Sequence, residues 1–302
     1  MRSLVIIGWV ALQALIFSVN SQDAGEGFIF KCDQPGAFAL TFDDGPGLYT
    51  TSLLQILREK EIKSTFFLIG KQVAEPAFNK HLKQILDEGH QIGSHTYSHP
   101  SLNKISPEMI KVEMFKTEKA IEEASGVVPA MMRPPYGDCS EQCRLVMKEL
   151  GYLVIQWNID SRDWSFLEQP SQFDTLKANL LNAATNGNPK VDNFVSLQHE
   201  ILNFSVERTP EIIDGIKAKG YHFVTVNDCL GNRFPMYKNR SNPPSVNVTT
   251  PPSVSSTNQE IVPSGSVVPD VQTKAKTNSS TVVESGSAMA LLISAFAFWN
   301  RI

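Results

Sequence analysis

Charge is scarce in this sequence and forms no block of one sign. Only 19% of the 302 residues are charged, the formal net charge is -4, and no long basic run occurs. A chain so balanced prepares no surface for nucleic acid or anionic lipid, and a neutral polymer suits it better as a partner. Cysteine is also sparse, at four residues, and no second thiol pair or neighbouring histidine completes a tetrahedral zinc set around Cys139 and Cys143. The N-terminal apolar run, Leu4 to Phe17, is short for a membrane span and is followed directly by polar residues. Aromatic residues are missing from the whole stretch between Asn239 and Ser287, which therefore has little with which to build a core.

With 42% hydrophobic residues, the chain can bury one domain of roughly 200 residues and leave tails over. Arg2, the apolar run and the small and polar residues from Ser18 to Gln22 have the three-part layout of a secretory signal peptide spanning residues 1–21. Secretion makes two disulfides readable: Cys139 and Cys143 could close a local loop, leaving Cys32 and Cys229 to tie the start of the domain to its end. Glycosylation sequons at Asn203, Asn239, Asn247 and Asn278 suit the same compartment, three of them bunched after Lys238. The Ser, Thr and Pro-rich segment 239–287 reads as a flexible, glycosylated stalk. Ser285-Gly286-Ser287 and the apolar residues 288–302 then match a GPI-attachment signal, with attachment expected at Asn278 in a eukaryotic chain.

Between residues 30 and 235, short apolar runs alternate with stretches of helical period. The runs are Phe38 to Phe42, Thr65 to Ile69, Gln91 to Ser94, Ala130 to Met132, Leu153 to Trp157, Phe194 to Leu197 and His222 to Val226. The expected helices cover Thr51 to Lys60, Gln72 to Glu88 with Pro76 near its start, Pro107 to Ala124, Glu141 to Leu150, Gln172 to Ala184 and Pro210 to Lys219. Ser106 caps one of them, and Gly89, Gly126, Gly151 and Gly220 stand just past helix ends. Such alternation predicts a parallel α/β sheet, open or closed into a barrel.

Two clusters carry the chemistry. Asp43 and Asp44 leave the first apolar strand together, at the end where active sites of parallel α/β folds collect. His95 and His99 follow another strand, and a spacing of four would set both imidazoles on one side of a helical turn. Two histidines and one aspartate would give three ligands with a position left for water, the layout of catalytic zinc. The residues alone support a metal site containing at least one of the two aspartates. His81, His90 and His222 belong to no such cluster and are expected to be structural.

These segments resemble the first two motifs of the polysaccharide deacetylases of carbohydrate esterase family four. Arg133-Pro134-Pro135-Tyr136-Gly137, Asp160-Ser161-Arg162-Asp163-Trp164 and Leu197-Gln198-His199-Glu200 resemble the remaining three, in order, so that the likeness spans Ala37 to about Leu230 and is strongest to fungal chitin deacetylases. The resemblance implies a distorted (β/α) barrel and a divalent metal, zinc or else cobalt, held by Asp44, His95 and His99. It implies Asp43 as general base, His199 as the acid that protonates the departing amine, and the Tyr136 backbone N–H as oxyanion donor. Arg133 is expected to orient Asp43, Asp163 to hold Arg133, and Trp164 and Leu197 to wall the acetyl methyl. One departure stands out, because the fifth motif commonly ends His-Asp and here ends His199-Glu200.

The implied reaction is hydrolysis of the N-acetyl groups of chitin, by a monomer at the cell surface or wall. Peptidoglycan or acetylated xylan as substrate, and a catalytically silent wall-binding protein of the same fold, are the alternatives. N-terminal sequencing of the exported protein is expected to begin near Gln22. A phosphatidylinositol-specific phospholipase should release the chain from membranes, and retention after treatment would contradict the anchor.

Overall fold

The computed structural model describes residues 27–239. The expected signal segment, stalk and hydrophobic tail lie outside the described residues. No helix among those described is long and apolar enough to cross a membrane.

In chain order the elements are β1 (Ala37–Ala39), β2 (Thr41–Asp43), α1 (Thr50–Glu59), β3 (Thr65–Leu68), α2 (Gly70–Val73), α3 (Lys80–Asp87), β4 (Gln91–Ser94), α4 (Pro107–Ser125), β5 (Met131–Met132), α5 (Glu141–Glu149), β6 (Leu153–Val154), β7 (Ile159–Asp160), α6 (Phe173–Asn186), β8 (Phe194–His199), α7 (Asn203–Ala218), β9 (His222–Val224) and α8 (Val226–Cys229). Every strand pairing is parallel, in the order β6-β5-β4-β3-β2-β8-β1-β9, with β7 added to β8. No ladder joins β6 to β7 among the described residues, and the result is a distorted (β/α) barrel.

The central strands are buried on both faces, as parallel strands under helices must be. All of β1 to β4 is buried, and Phe38, Phe42, Phe66, Leu53, Leu54 and Ile213 belong to one apolar cluster between sheet and helices. The first expected strand is divided in two near Leu40. There Thr41 N donates to the Ser196 hydroxyl at 3.2 Å, so a side chain takes the place of a ladder carbonyl. The short strand β7 lies outside the expected runs.

Helix boundaries follow their caps where caps exist. Ser106 Oγ accepts from Met109 N, Pro107 occupies the first turn, and Gly126 closes α4 at φ 81°, as its left-handed C-cap requires. The expected helix at Gln72 breaks into α2 and α3 around Pro76. The last expected helix begins earlier than Pro210, because α7 starts at Asn203 and carries Pro210 inside it. Proline costs a helix one hydrogen bond, and seven buried residues of α7 outweigh that loss.

Both expected disulfides are formed, Cys139–Cys143 across a separation of 4 and Cys32–Cys229 across 197 residues. The second closes nearly the whole described domain, so Cys32→Ser with Cys229→Ser should lower stability in urea unfolding by about 2–5 kcal/mol. A smaller loss than that of the local Cys139–Cys143 pair would contradict this assignment.

Candidate active site

The functional side chains sit at the carboxyl ends of neighbouring strands. Asp43 ends β2, His95 follows β4, Arg133 follows β5, Asp163 lies just past β7, and His199 ends β8. Register fixes their proximity, since Asp43 stands opposite His199 and Ser94 opposite Met132.

Asp43 and Asp44 separate at once. Asp43 has a strand backbone and sends Oδ1 to Arg133 Nη1 at 2.8 Å. Asp44 has φ 73°, a left-handed value rare outside glycine, and its carboxylate turns to the histidines. Asp44 Oδ1 lies 3.4 Å from both His95 Nε2 and His99 Nε2. That oxygen is buried and has no hydrogen-bond partner. A buried acceptor with two imidazole nitrogens converging on it is a donor set suited to a divalent cation, and these three residues form a group able to hold one.

The ring orientations are set from behind. His95 Nδ1 contacts Arg133 O at 2.7 Å, and His99 Nδ1 lies 3.2 Å from the Tyr136 hydroxyl, which leaves both Nε2 atoms facing Asp44. Burial pushes the His99 pKa down to about 4, with Asp44 opposing and His95 assisting, so the ring is neutral as a ligand must be. Burial raises Asp44, but the neighbouring imidazoles of His95, His199 and His99 hold it well below the usual carboxylate range.

The histidine segment is not the helical turn expected from its spacing. Thr96 and His99 have φ 64° and 60°, and the two rings converge because an irregular loop folds back on itself. Pro100 explains part of this, since the residue before proline is steered away from the right-handed helical region.

Asp163 also departs from expectation, for it does not hold Arg133. Its Oδ1 lies 2.7 Å from His199 Nδ1, while Oδ2 accepts from His199 N at 2.8 Å and from the Ser205 hydroxyl at 2.7 Å. Burial alone would depress His199, but the Asp163 carboxylate overrides it and raises the imidazole to about 10. Arg133 is held instead by Thr41 Oγ1, Asp43 Oδ1 and Gln156 O, and its guanidinium lies 4.3 Å from the Phe67 ring centroid. Ser205, the last residue of the Asn203 sequon, thus has a structural use of its own.

Tyr136 (φ 59°) and Trp164 remain partly exposed, at 48% and 39%. Leu197 is buried two residues before His199 and so shares its face of β8. His90 and His81 serve the core, the first accepting from Ser64 N and the second stacking on Phe78.

Glu200, the departure in the fifth motif, has a definite place. It is fully buried, accepts from the Thr50 hydroxyl, and fills the space beside Gly45, where a Cβ would lie 1.6 Å from Glu200 Oε1. Burial, reinforced by Asp44 and Asp43, raises its pKa to about 8 against the Thr50 hydrogen bond.

Comparison with known proteins agrees with this geometry. A polysaccharide deacetylase family model matches residues 31–155, which hold the first three motif segments. The chitin deacetylase of Colletotrichum lindemuthianum is 35% identical over 208 residues, 68% of this chain and 83% of that one. The chain belongs to the polysaccharide deacetylase family.

The solved structure of a chitin deacetylase from the same fungus matches this polysaccharide deacetylase with a TM-score of 0.66 at 32% identity, covering 70% of this chain and 95% of that one. A peptidoglycan-N-acetylglucosamine deacetylase of Bacillus cereus is 37% identical over 193 residues, 62% of this chain and 66% of the bacterial one. Membership makes the chain a hydrolase, and metal dependence is a property of the family.

Thr41, Gln156, Thr50 and Ser205 also support the site, and none of them carries a charge that would single it out in the sequence. The Gly45–Glu200 contact yields a direct test. Gly45→Ala should lower stability by about 1–3 kcal/mol through overpacking, and Glu200→Ala in the same chain should recover part of the loss. Strictly additive losses in chemical denaturation would contradict the contact.

Proposed function

We propose that this polysaccharide deacetylase removes acetyl groups from the N-acetylglucosamine units of chitin, releasing acetate and leaving free amines. The observation that carries this reading is the convergence of Asp44 Oδ1 with the Nε2 atoms of His95 and His99, flanked on one side by Asp43–Arg133 and on the other by His199–Asp163.

Asp44, His95 and His99 would hold the cation, and zinc suits two imidazoles and a carboxylate, with cobalt able to replace it. Bound there, it would polarise the acetamide carbonyl and make water a stronger acid. Asp43 accepts the proton of the attacking water, because Arg133 engages only Oδ1 and leaves Oδ2 on the side of His95, at 3.8 Å. The Tyr136 N–H donates a hydrogen bond to the carbonyl oxygen as negative charge develops on it. His199 is anchored to Asp163 through Nδ1, which leaves Nε2 to deliver a proton to the departing nitrogen. The C–N bond breaks with one water consumed, and the products are acetate and the amino sugar. Trp164 and Leu197 wall the acetyl group.

Chitin is favoured by the similarity to the fungal enzyme over most of its length. The identity to a peptidoglycan N-acetylglucosamine deacetylase is comparable, and the sugar unit is the shared chemistry. Export and a GPI anchor at the cell surface complete the proposal, supported by the leader and tail sequences and by two disulfides, which an oxidising compartment favours.

The purified full chain should release acetate from chitin oligomers faster than from peptidoglycan. A chelator should stop the release, and zinc or cobalt should restore it. Asp43→Asn should cost on the order of 100-fold or more in turnover. No acetate from any N-acetylated glycan with metal supplied would sink the enzymatic reading.

A further inference from the structure

The loop that carries the two histidines is gripped between two helices. From one side, the first amides of α2 enter it, with Gly70 N donating to Thr96 O and Lys71 N to Tyr97 O, both at 2.9 Å. From the other side, one carboxylate of α4 takes the donors that the loop itself presents. Glu113 Oε2 accepts from Tyr97 N at 2.8 Å and Ser98 N at 2.7 Å, while Oε1 accepts from the Ser98 hydroxyl at 2.8 Å.

Glu113 is 7% exposed and lies on the buried stripe of α4 with Ile110, Met114, Thr117 and Ile121. A glutamate on such a stripe costs free energy unless its charge is met by donors. Here three donors of one short loop meet it, and hydrogen bonds to a charged acceptor are the stronger kind. The helices cannot move closer together around it. One turn on from Glu113, Thr117 packs so closely on Gly70 that a Cβ there would lie 2.9 Å from Thr117 Cα.

The loop needs such a grip because two of its residues, Thr96 and His99, are non-glycine residues in the left-handed region. Each such residue is disfavoured and persists only where the surroundings over-determine it. His99 is itself a member of the cation group. Without the clamp, relaxation of the loop would carry its Nε2 away from Asp44.

We propose that Glu113 is a positioning residue for the cation site: its carboxylate, bonded to Tyr97 and Ser98, holds the loop in the one conformation that brings His95, His99 and Asp44 together. This rests on the reading of those three residues as a metal site. An ionised carboxylate is acceptor-only and matches three donors, whereas an amide must turn its NH2 toward the Ser98 hydroxyl.

The test is cobalt binding to the full chain, stripped of metal and titrated against a chromophoric chelator, with thermal melting of the metal-free protein alongside. Glu113→Ala should weaken cobalt binding by about 10-fold or more, the usual effect of losing a partner behind a ligand. Glu113→Gln, which keeps one acceptor oxygen for the two amides, should fall between that variant and the parent. Should Glu113→Ala not fold, Glu113→Gln carries the test, and parental affinity in it overturns the proposal. A lowered melting point with unchanged cobalt affinity would assign Glu113 to packing alone and also overturn it. If the parent chain binds no cobalt, the metal reading falls and takes this proposal with it, a result distinct from parental binding that the Glu113 variants leave untouched.

Discussion

A fully buried guanidinium organises this molecule. Arg133 has no exposed surface, and a charge in that position is tolerated only when it is paired and hydrogen-bonded. Its partners come from different parts of the barrel: Asp43 and Thr41 on β2, the Gln156 carbonyl beyond β6, and the Phe67 ring on β3. Its backbone adds two more links, with Arg133 N donating to Ser94 O and Arg133 O facing His95 Nδ1. The same residue therefore sets the orientation of the proposed base and of one histidine in the cation group. Desolvation makes the pair an indifferent source of stability, but a strict source of geometry.

Around that fixed centre, backbone strain is concentrated where the chemistry is placed. Five of the seven non-glycine residues with positive φ among those described are Asp44, Thr96, His99, Tyr136 and Arg162, and all five fall within the motif segments. Such conformations cost about 1–3 kcal/mol each, so their clustering says that the surrounding barrel supplies the difference. The apolar cluster between sheet and helices and the long Cys32–Cys229 link are what the strained loops draw upon.

Much of the scaffold was legible because burial leaves a direct trace in composition. The runs at Thr65 and Phe194 could be read as strands since both faces of a parallel strand are largely apolar, and α4 could be bounded by Ser106 and Gly126 because caps are chemical signals. Tertiary compensation leaves no such trace. Pro210 marks a helix start by local rules, yet it sits inside α7 because the packing around it is sufficient. Asp163 and Arg133 are both charged and both buried, and only the pairing of β7 with β8 decides that Asp163 meets His199. Glu113 did leave a signal, a glutamate on an apolar stripe, but its partners lie in a loop whose shape the histidine spacing misrepresents.

The adjacent aspartates show how one peptide bond can divide two roles. In a regular strand, successive side chains already point to opposite faces, which would leave the second carboxylate buried away from the first. The left-handed turn at Asp44 breaks that alternation at the strand's end, so both carboxylates stay at the same rim and face different partners. Gly45 must follow because Glu200 occupies the space of its Cβ, and Glu200 is in turn fixed by Thr50, whose hydroxyl also accepts from Gly47 N. The split between Asp43 and Asp44 is thus imposed by the turn and its packing, while their chemical identity is the same. What differs is the company: a guanidinium for Asp43, two imidazoles for Asp44.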